Sequence, residues 1–445
     1  MRAAFRKAGS ALRNFLAEHR WILAVMLLLF LERLLVLKRL GILYALGSDD
    51  VSYVKSGITF IKTGAITMHG VLSAQIMPGM PVFIGLFSLF FGEGELLWLI
   101  LKLVWITMGV WTAFFVYRSV LLFAPRWCGI MAALLFFAPD FAWMDNLILT
   151  ETPFMLLLSA LIYFTMMLAK TKERKYFWMC LASYMLALML KANIGIYPVF
   201  AMVYLLMKKY DFKVLMKQAL ILACVLLGFI IPWSIRNYIH YDAFIPLTYG
   251  AGNPLLLGTY QGVGYPDDGQ LDYVTNVDAA AKEKFRKYAD EEGNINEPYL
   301  KRYVLLETDG IKAKYRMAEW FKKDPASMIK SYLYLKPRYM ITSSFYWTEI
   351  FGVKLVLLRK IRTIGFRVIV LAFLASMLLR KKREEMAFLG LLYLGNIYLY
   401  AVTFAFDRYA QPLLPIRYIA FGIGLCLFAE VIAKAFRAVG SLNRT

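Results

Sequence analysis

Apolar runs near the ~20 residues that a helix needs to cross ~30 Å of hydrocarbon recur along this chain, and no other feature narrows the fold so much. The runs are continuous, with no alternation of period two, which favours membrane-spanning helices over a β-barrel. Apolar residues make up 60% of the composition, so its length does not read as a set of soluble domains. A formal net charge of +21 would point to nucleic acid in a soluble protein. Here the basic residues gather in short loops between the runs, where they set topology, and no nucleic-acid partner is expected. Cys128, Cys180, Cys224 and Cys426 lie inside apolar runs without close spacing, and read as packing residues rather than a disulfide framework or a metal site.

Charge placement gives the expected path of the chain. Arg2, Arg6, Lys7, Arg13 and Arg20 precede the first run, and no small-residue cleavage site follows, so 1–20 reads as a cytoplasmic tail and 21–40 as a retained first span. Glu32 and Arg33 interrupt that span and are expected to face the bundle interior or pair locally. The chain then delivers Asp49 and Asp50 to the outer face. Lys170, Lys172, Arg174 and Lys175 form the next inside signal, yet the apolar runs 78–91, 96–117, 128–149 and 152–169 intervene, and if all crossed, that loop would lie outside. One run therefore does not cross. The shortest, 78–91, spans only ~21 Å as a helix and opens with Met77-Pro78-Gly79-Met80-Pro81. It is read as an interfacial helix beside an amphipathic one over 51–62, both within a first external loop, 41–94.

The same parity places Leu149-Thr150-Glu151-Thr152-Pro153 outside. Short runs at 176–190 and 194–207 make a hairpin whose tip, Lys191, stops below the surface, where a lysine needs an anion, a water-filled cavity or a snorkelling path. A span over 219–233 ends at Pro232-Trp233-Ser234-Ile235-Arg236-Asn237-Tyr238, with interface aromatics around Arg236. The transmembrane module thus covers 21–237. A large external loop with an interfacial stretch at 327–351 fills 238–360, with turn composition at Asp267-Asp268 and charged helical pattern from 278 to 321. Arg380-Lys381-Lys382-Arg383 marks the inside again. The C-terminal spans, 361–445, run inward over 363–379, outward over 386–406 and back over 410–432, leaving Asp407-Arg408-Tyr409 outside and Lys434 and Arg437 inside. The expected fold is an all-α polytopic membrane protein of about ten transmembrane helices, with outer-face juxtamembrane helices, one large external loop and both termini cytoplasmic.

This topology collects carboxylates (Asp49, Asp50, Glu151) and cations (Lys191, Arg236, Arg408) on one face from segments far apart in sequence. The pattern suits group transfer from an anionic lipid. A departing lipid phosphate needs cations, and an acceptor hydroxyl needs a carboxylate to take its proton. Asp49 is the candidate proton acceptor and Asp50 a supporting residue, although Ser48 or Asp49 also suits a helix cap ahead of Val51.

Several short elements then occur in a telling order. They are Ser48-Asp49-Asp50 with Tyr53, Met77-Pro78-Gly79-Met80-Pro81, Leu149-Thr150-Glu151, Lys191, Pro232-Trp233-Ser234-Ile235-Arg236-Asn237-Tyr238, and Arg408-Tyr409 with Pro412 and Pro415. In this order the chain resembles the GT-C superfamily of membrane glycosyltransferases, specifically the family 39 group of protein O-mannosyltransferases and lipid A aminoarabinose transferases. The resemblance covers most of the chain except 250–360. It implies a polyprenyl-phosphate sugar donor and a hydroxyl-bearing acceptor on a lipid, glycan or protein. It also implies transfer at the outer face of a bacterial inner membrane, with inversion at the anomeric carbon. By the same resemblance Asp49 is the general base, while Lys191 and Arg236, with Arg408, hold the donor phosphate. Glu151 positions the acceptor, or a divalent metal ion where one is used, with His69 and His240 as the external histidines at hand. Asp50 stands where glutamate is commoner, and Met77 and Met80 where arginine and an aromatic are frequent. The alternative is a polytopic transporter or flippase of lipid-linked sugars, which would place its charges at mid-membrane on broken helices rather than toward one surface.

Overall fold

The structure, a computed structural model, describes residues 2–442, with side chains described over 17–434. The basic side chains before residue 17, and Arg437, on which the cytoplasmic termini were expected, lie outside the described side chains. Among the described residues, six helices are long and apolar enough to cross a membrane: Glu95–Leu121, Glu151–Thr171, Phe212–Tyr241, Leu355–Leu379, Arg383–Val402 and Asp407–Lys434. Shorter apolar helices at Gly79–Phe91, Arg126–Phe137 and Ala192–Met207 accompany them. Together they make an all-helical polytopic bundle.

Helix α1 (Arg2–Leu40) carries the first apolar run and ends at a loop that turns into α2 (Asp49–Thr63). Strands β1 (Thr67–Met68) and β2 (Val71–Leu72) pair antiparallel, Met68 opposite Val71, so His69 and Gly70 alone make the turn. Both have positive φ, 51° and 83°, the combination a two-residue hairpin turn of this hand requires. Helix α3 (Gly79–Phe91) then packs on α2. The two helices expected in the first loop are therefore present, and neither is long enough to span.

Helix α4 (Glu95–Leu121) is continuous, but the run 128–149 is not the single helix expected. It divides into α5 (Arg126–Leu134), a 3₁₀ turn and α6 (Pro139–Met144). Pro139 lacks an amide donor and holds Ala138 extended, which ends the first segment. The second carries Asp140 and leads to Asp145, both fully buried. Asp140 accepts from Arg362 Nη2 (2.6 Å), Gln411 Nε2 (2.9 Å) and the Ser344 hydroxyl. Asp145 accepts from Arg33 Nε and Thr152 Oγ1, each at 2.8 Å. Gly109 on α4 makes room for the second pair, since a Cβ there would lie 2.0 Å from Asp145 Oδ2.

Helices α7 (Glu151–Thr171), α8 (Arg174–Leu190) and α9 (Tyr197–Met207) follow, with Lys191 at the α8 terminus. Helix α10 (Phe212–Tyr241) does not stop near Pro232 as expected but runs nine residues further. Its extension is paid for by new partners: Trp233 Nε1 donates to the Leu247 carbonyl (2.6 Å), Asn237 Nδ2 to that of Ile245 (2.8 Å), and the Tyr241 hydroxyl to that of Leu72 (3.0 Å).

The segment expected to be external contains α11 (Gly252–Gly258), α12 (Ala279–Phe285), α13 (Pro298–Lys323), α14 (Pro325–Lys330) and α15 (Lys336–Thr342). Trp233, Tyr241, Tyr249, Phe285 and Tyr303 form a second hydrophobic core that seats α13 on the end of α10. Buried Arg316 on α13 ties the turns together, donating to Thr259 Oγ1 (2.8 Å), the Pro266 carbonyl (2.9 Å) and Asp268. Asp267 accepts from the Gly269 amide, as its turn composition suggested. Helix α16 (Leu355–Leu379) begins eight residues before the expected 363, because Arg362, in its first half, is matched by buried Asp140. The chain closes with α17 (Arg383–Val402), α18 (Asp407–Ala410) and α19 (Leu414–Leu442).

Candidate active site

Four of the residues singled out in the sequence meet at one end of the bundle. Asp49 occupies the first turn of α2, Glu151 the first position of α7, Lys191 the residue after α8, and Arg408 sits on α18. Arg408 joins them: its Nη1 lies 2.7 Å from Asp49 Oδ2, and its Nε lies 2.8 Å from Glu151 Oε1. Lys191 Nζ reaches the same Glu151 oxygen at 2.7 Å, over the rings of Phe154 and Tyr409. Glu151 is wholly buried, so two cations and a Thr150 hydroxyl contact at 3.4 Å replace its hydration. Lys191 therefore does not snorkel; an anion meets it.

The adjacent aspartates divide. Asp50 is fully buried and turns away, accepting the backbone amides of Leu46 (2.5 Å), Ser48 (3.1 Å) and Val51 (2.9 Å). It shapes the turn into α2, and Ser48, at the cap position, makes no side-chain capping bond. Asp49 stays partly open. Arg408 holds Oδ2, while Oδ1 faces His69 Nε2 at 3.6 Å. The other His69 nitrogen lies 3.2 Å from Ser52 Oγ. Burial and then the charge of Arg302 push the His69 imidazole below its ordinary pKa, against the opposing pull of Asp49.

Arg236 stands apart from this group. Its Nη1 donates to the Ser73 carbonyl (3.1 Å) and to Asn237 Oδ1 (2.9 Å), and the guanidinium lies over the Trp233 ring. The metal set suggested by His69, His240 and Glu151 is not assembled. Among the described residues, no group of three or more His, Cys, Asp or Glu side chains is placed to hold a metal ion. Glu151 is already matched by Lys191 and Arg408, and His240 sits near the end of α10.

Sequence reasoning missed the layer beneath. Thr152 anchors the start of α7 to Asp145 and hence to Arg33, while Gln411, beside Arg408, anchors α18 to Asp140 and Arg362. The signal was available, since two aspartates inside an apolar run demand partners. Trp105 Nε1 also fixes the approach to Glu151 by donating to the Leu149 carbonyl (2.8 Å).

No protein-family profile matches the sequence, and a search of curated proteins finds no match. Solved structures do match in shape. An oligosaccharyltransferase, AglB, from Archaeoglobus fulgidus, in complex with an inhibitory peptide and a dolichol-phosphate, aligns at TM-score 0.55 and 14% identity, over 96% of this chain and 52% of that one. Its apo form aligns at TM-score 0.52 and 14% identity, over 95% and 52%. ArnT from Cupriavidus metallidurans bound to undecaprenyl phosphate aligns at TM-score 0.39 and 14% identity, over 92% and 78%. The chain spans about half the length of the archaeal protein, and at this identity the likeness is one of fold, the arrangement of the membrane helices.

Proposed function

We propose that this protein is a GT-C glycosyltransferase that moves a sugar from a polyprenyl-phosphate-linked donor to a hydroxyl of a lipid, glycan or protein acceptor at the outer face of a bacterial inner membrane, with inversion. The observation that carries the reading is Asp49, a partly exposed carboxylate with one oxygen fixed by Arg408 and the other facing His69 at 3.6 Å. In this reading Asp49 Oδ1 takes the acceptor's hydroxyl proton as the acceptor oxygen bonds to the anomeric carbon. The carbon–oxygen bond to the donor phosphate breaks, and its electron pair leaves on polyprenyl phosphate. Arg236, which meets no carboxylate among the described residues, offsets the charge on that leaving group. Lys191, Glu151 and Arg408 hold the base in position, and Asp50 fixes the turn that presents it. The dolichol-phosphate in the archaeal neighbour's complex supports a lipid-phosphate donor for this fold.

A transporter would use a broken helix with open charges. The break between α5 and α6 has buried carboxylates, but both are matched by arginine and neutral donors, which leaves no open ion site there. Reconstitution with a panel of labelled polyprenyl-phosphate sugars tests the proposal. Asp49→Asn should lower transfer by about 100-fold or more. Wild-type turnover in that variant would remove Asp49 as the base, and lipid-sugar uptake without donor cleavage would favour transport.

A further inference from the structure

The candidate active site is electrically balanced, and this bears on where a phosphate can bind. Arg408 and Lys191 are matched against Asp49 and Glu151. Two other cations, on α10 and α13, carry no such match. Arg236 and Arg302 are both half-buried, and neither lies within ion-pair distance of a carboxylate among the described residues. They grip one short segment: Arg236 donates to the Ser73 carbonyl, and Arg302 Nε donates to Gln75 Oε1 at 3.2 Å. Ser73 and Gln75 are two residues apart, so even a fully extended chain separates them by only ~7 Å. Arg302 keeps Nη1 and Nη2 without a hydrogen-bond partner, and Arg236 keeps Nε and Nη2, among the described residues.

Both are held in place by packing. Arg302 is followed on α13 by Tyr303, whose ring packs on Tyr241 and Tyr249 in the second core, and the Tyr249 amide donates to the Ala74 carbonyl (3.0 Å). The 73–75 segment directly follows β2, and the hairpin turn before β2 carries His69, which faces Asp49 at 3.6 Å and feels the charge of Arg302.

We propose that Arg302, carried by the external helix α13, joins Arg236 across the 73–75 segment to bind the phosphoryl group of the lipid-linked donor. Two planar guanidinium groups with free paired donors suit phosphate oxygens in a way that a lone lysine does not. The large external segment, in which the sequence shows no motif of its own, thereby supplies a substrate contact. This rests on the donor reading above.

The test uses the full chain in nanodiscs, with a polyprenyl monophosphate, phosphatidic acid and inorganic phosphate as probes. Arg302→Gln should weaken polyprenyl-phosphate binding about 10-fold or more while thermal unfolding stays unchanged. Should that variant misfold, Arg302→Met retains the apolar stem and carries the same expectation. The imidazole of His69, one of 3 histidines in the chain, gives an independent NMR readout. Polyprenyl phosphate should raise its titration midpoint in the wild type, by masking Arg302, and leave it unmoved in Arg302→Gln. Wild-type affinity in both variants overturns the proposal, as does equal weakening for phosphatidic acid or inorganic phosphate, which would mark a general anion site. If the wild type binds no polyprenyl phosphate, the donor reading itself fails; if it binds and the variants bind equally, only Arg302 does.

Discussion

Glu151 is wholly buried and holds Lys191 and Arg408 through one carboxylate. Such a group gives little net stability as a pair, yet removing one member leaves the others buried without compensation. Glu151→Gln should therefore destabilise the fold by about 3–5 kcal/mol, and Glu151→Gln with Lys191→Met should recover part of that loss. Thermal unfolding in detergent measures both, and simple addition of the two effects would reject the coupling. At this scale the sequence was informative about residue types and poor on partners. Asp49 and Asp50 are adjacent, but one faces Arg408 and the other the loop amides, a division that no spacing encodes.

Among the elements, α15 carries a buried lysine that meets no carboxylate among the described residues. Lys336 is buried, with its Nζ donating to the Thr403 carbonyl at the end of α17 (3.0 Å) and lying over the Tyr332 ring. Burial brings its pKa down to about 7, against ~10.4 in an unfolded chain. The folded state thus binds fewer protons between these values, so stability rises with pH across that window and is lost as pH falls toward 7. Lys336→Met should flatten this dependence and raise Tm by about 2–4 °C at neutral pH, as read by thermal scans in buffers spanning the window. An unchanged pH profile would show that Lys336 is solvated in the protein. Elsewhere, the helices of the first loop were legible because amphipathicity and length are local. The break at Pro139 and the extension of α10 past Pro232 were not, because remote partners compensate them.

The whole molecule requires a membrane around it. Only 11% of the most apolar window of α10 and 17% of that of α16 is buried by protein, and apolar side chains such as Leu378 face outward. Lipid would cover these faces. On the proposed topology an impermeant maleimide should label Asn294→Cys in intact cells, whereas Arg174→Cys should react only after permeabilisation, both in a chain whose native cysteines are replaced by serine. The opposite pattern would invert the protein and place the candidate site in the cytoplasm. By itself the sequence determined an all-helical membrane fold and a first loop that does not cross, because hydrophobic length and loop charge act along the chain, and it grouped Asp49, Asp50, Glu151, Lys191, Arg236 and Arg408, of which four meet. Only the tertiary structure decided that Arg408 bridges Asp49 and Glu151, that Asp140 and Asp145 are matched by Arg362 and Arg33, and that Arg236 is held on the Ser73 carbonyl instead. Those pairings join segments far apart in the chain, and packing alone chooses among cations of equal charge.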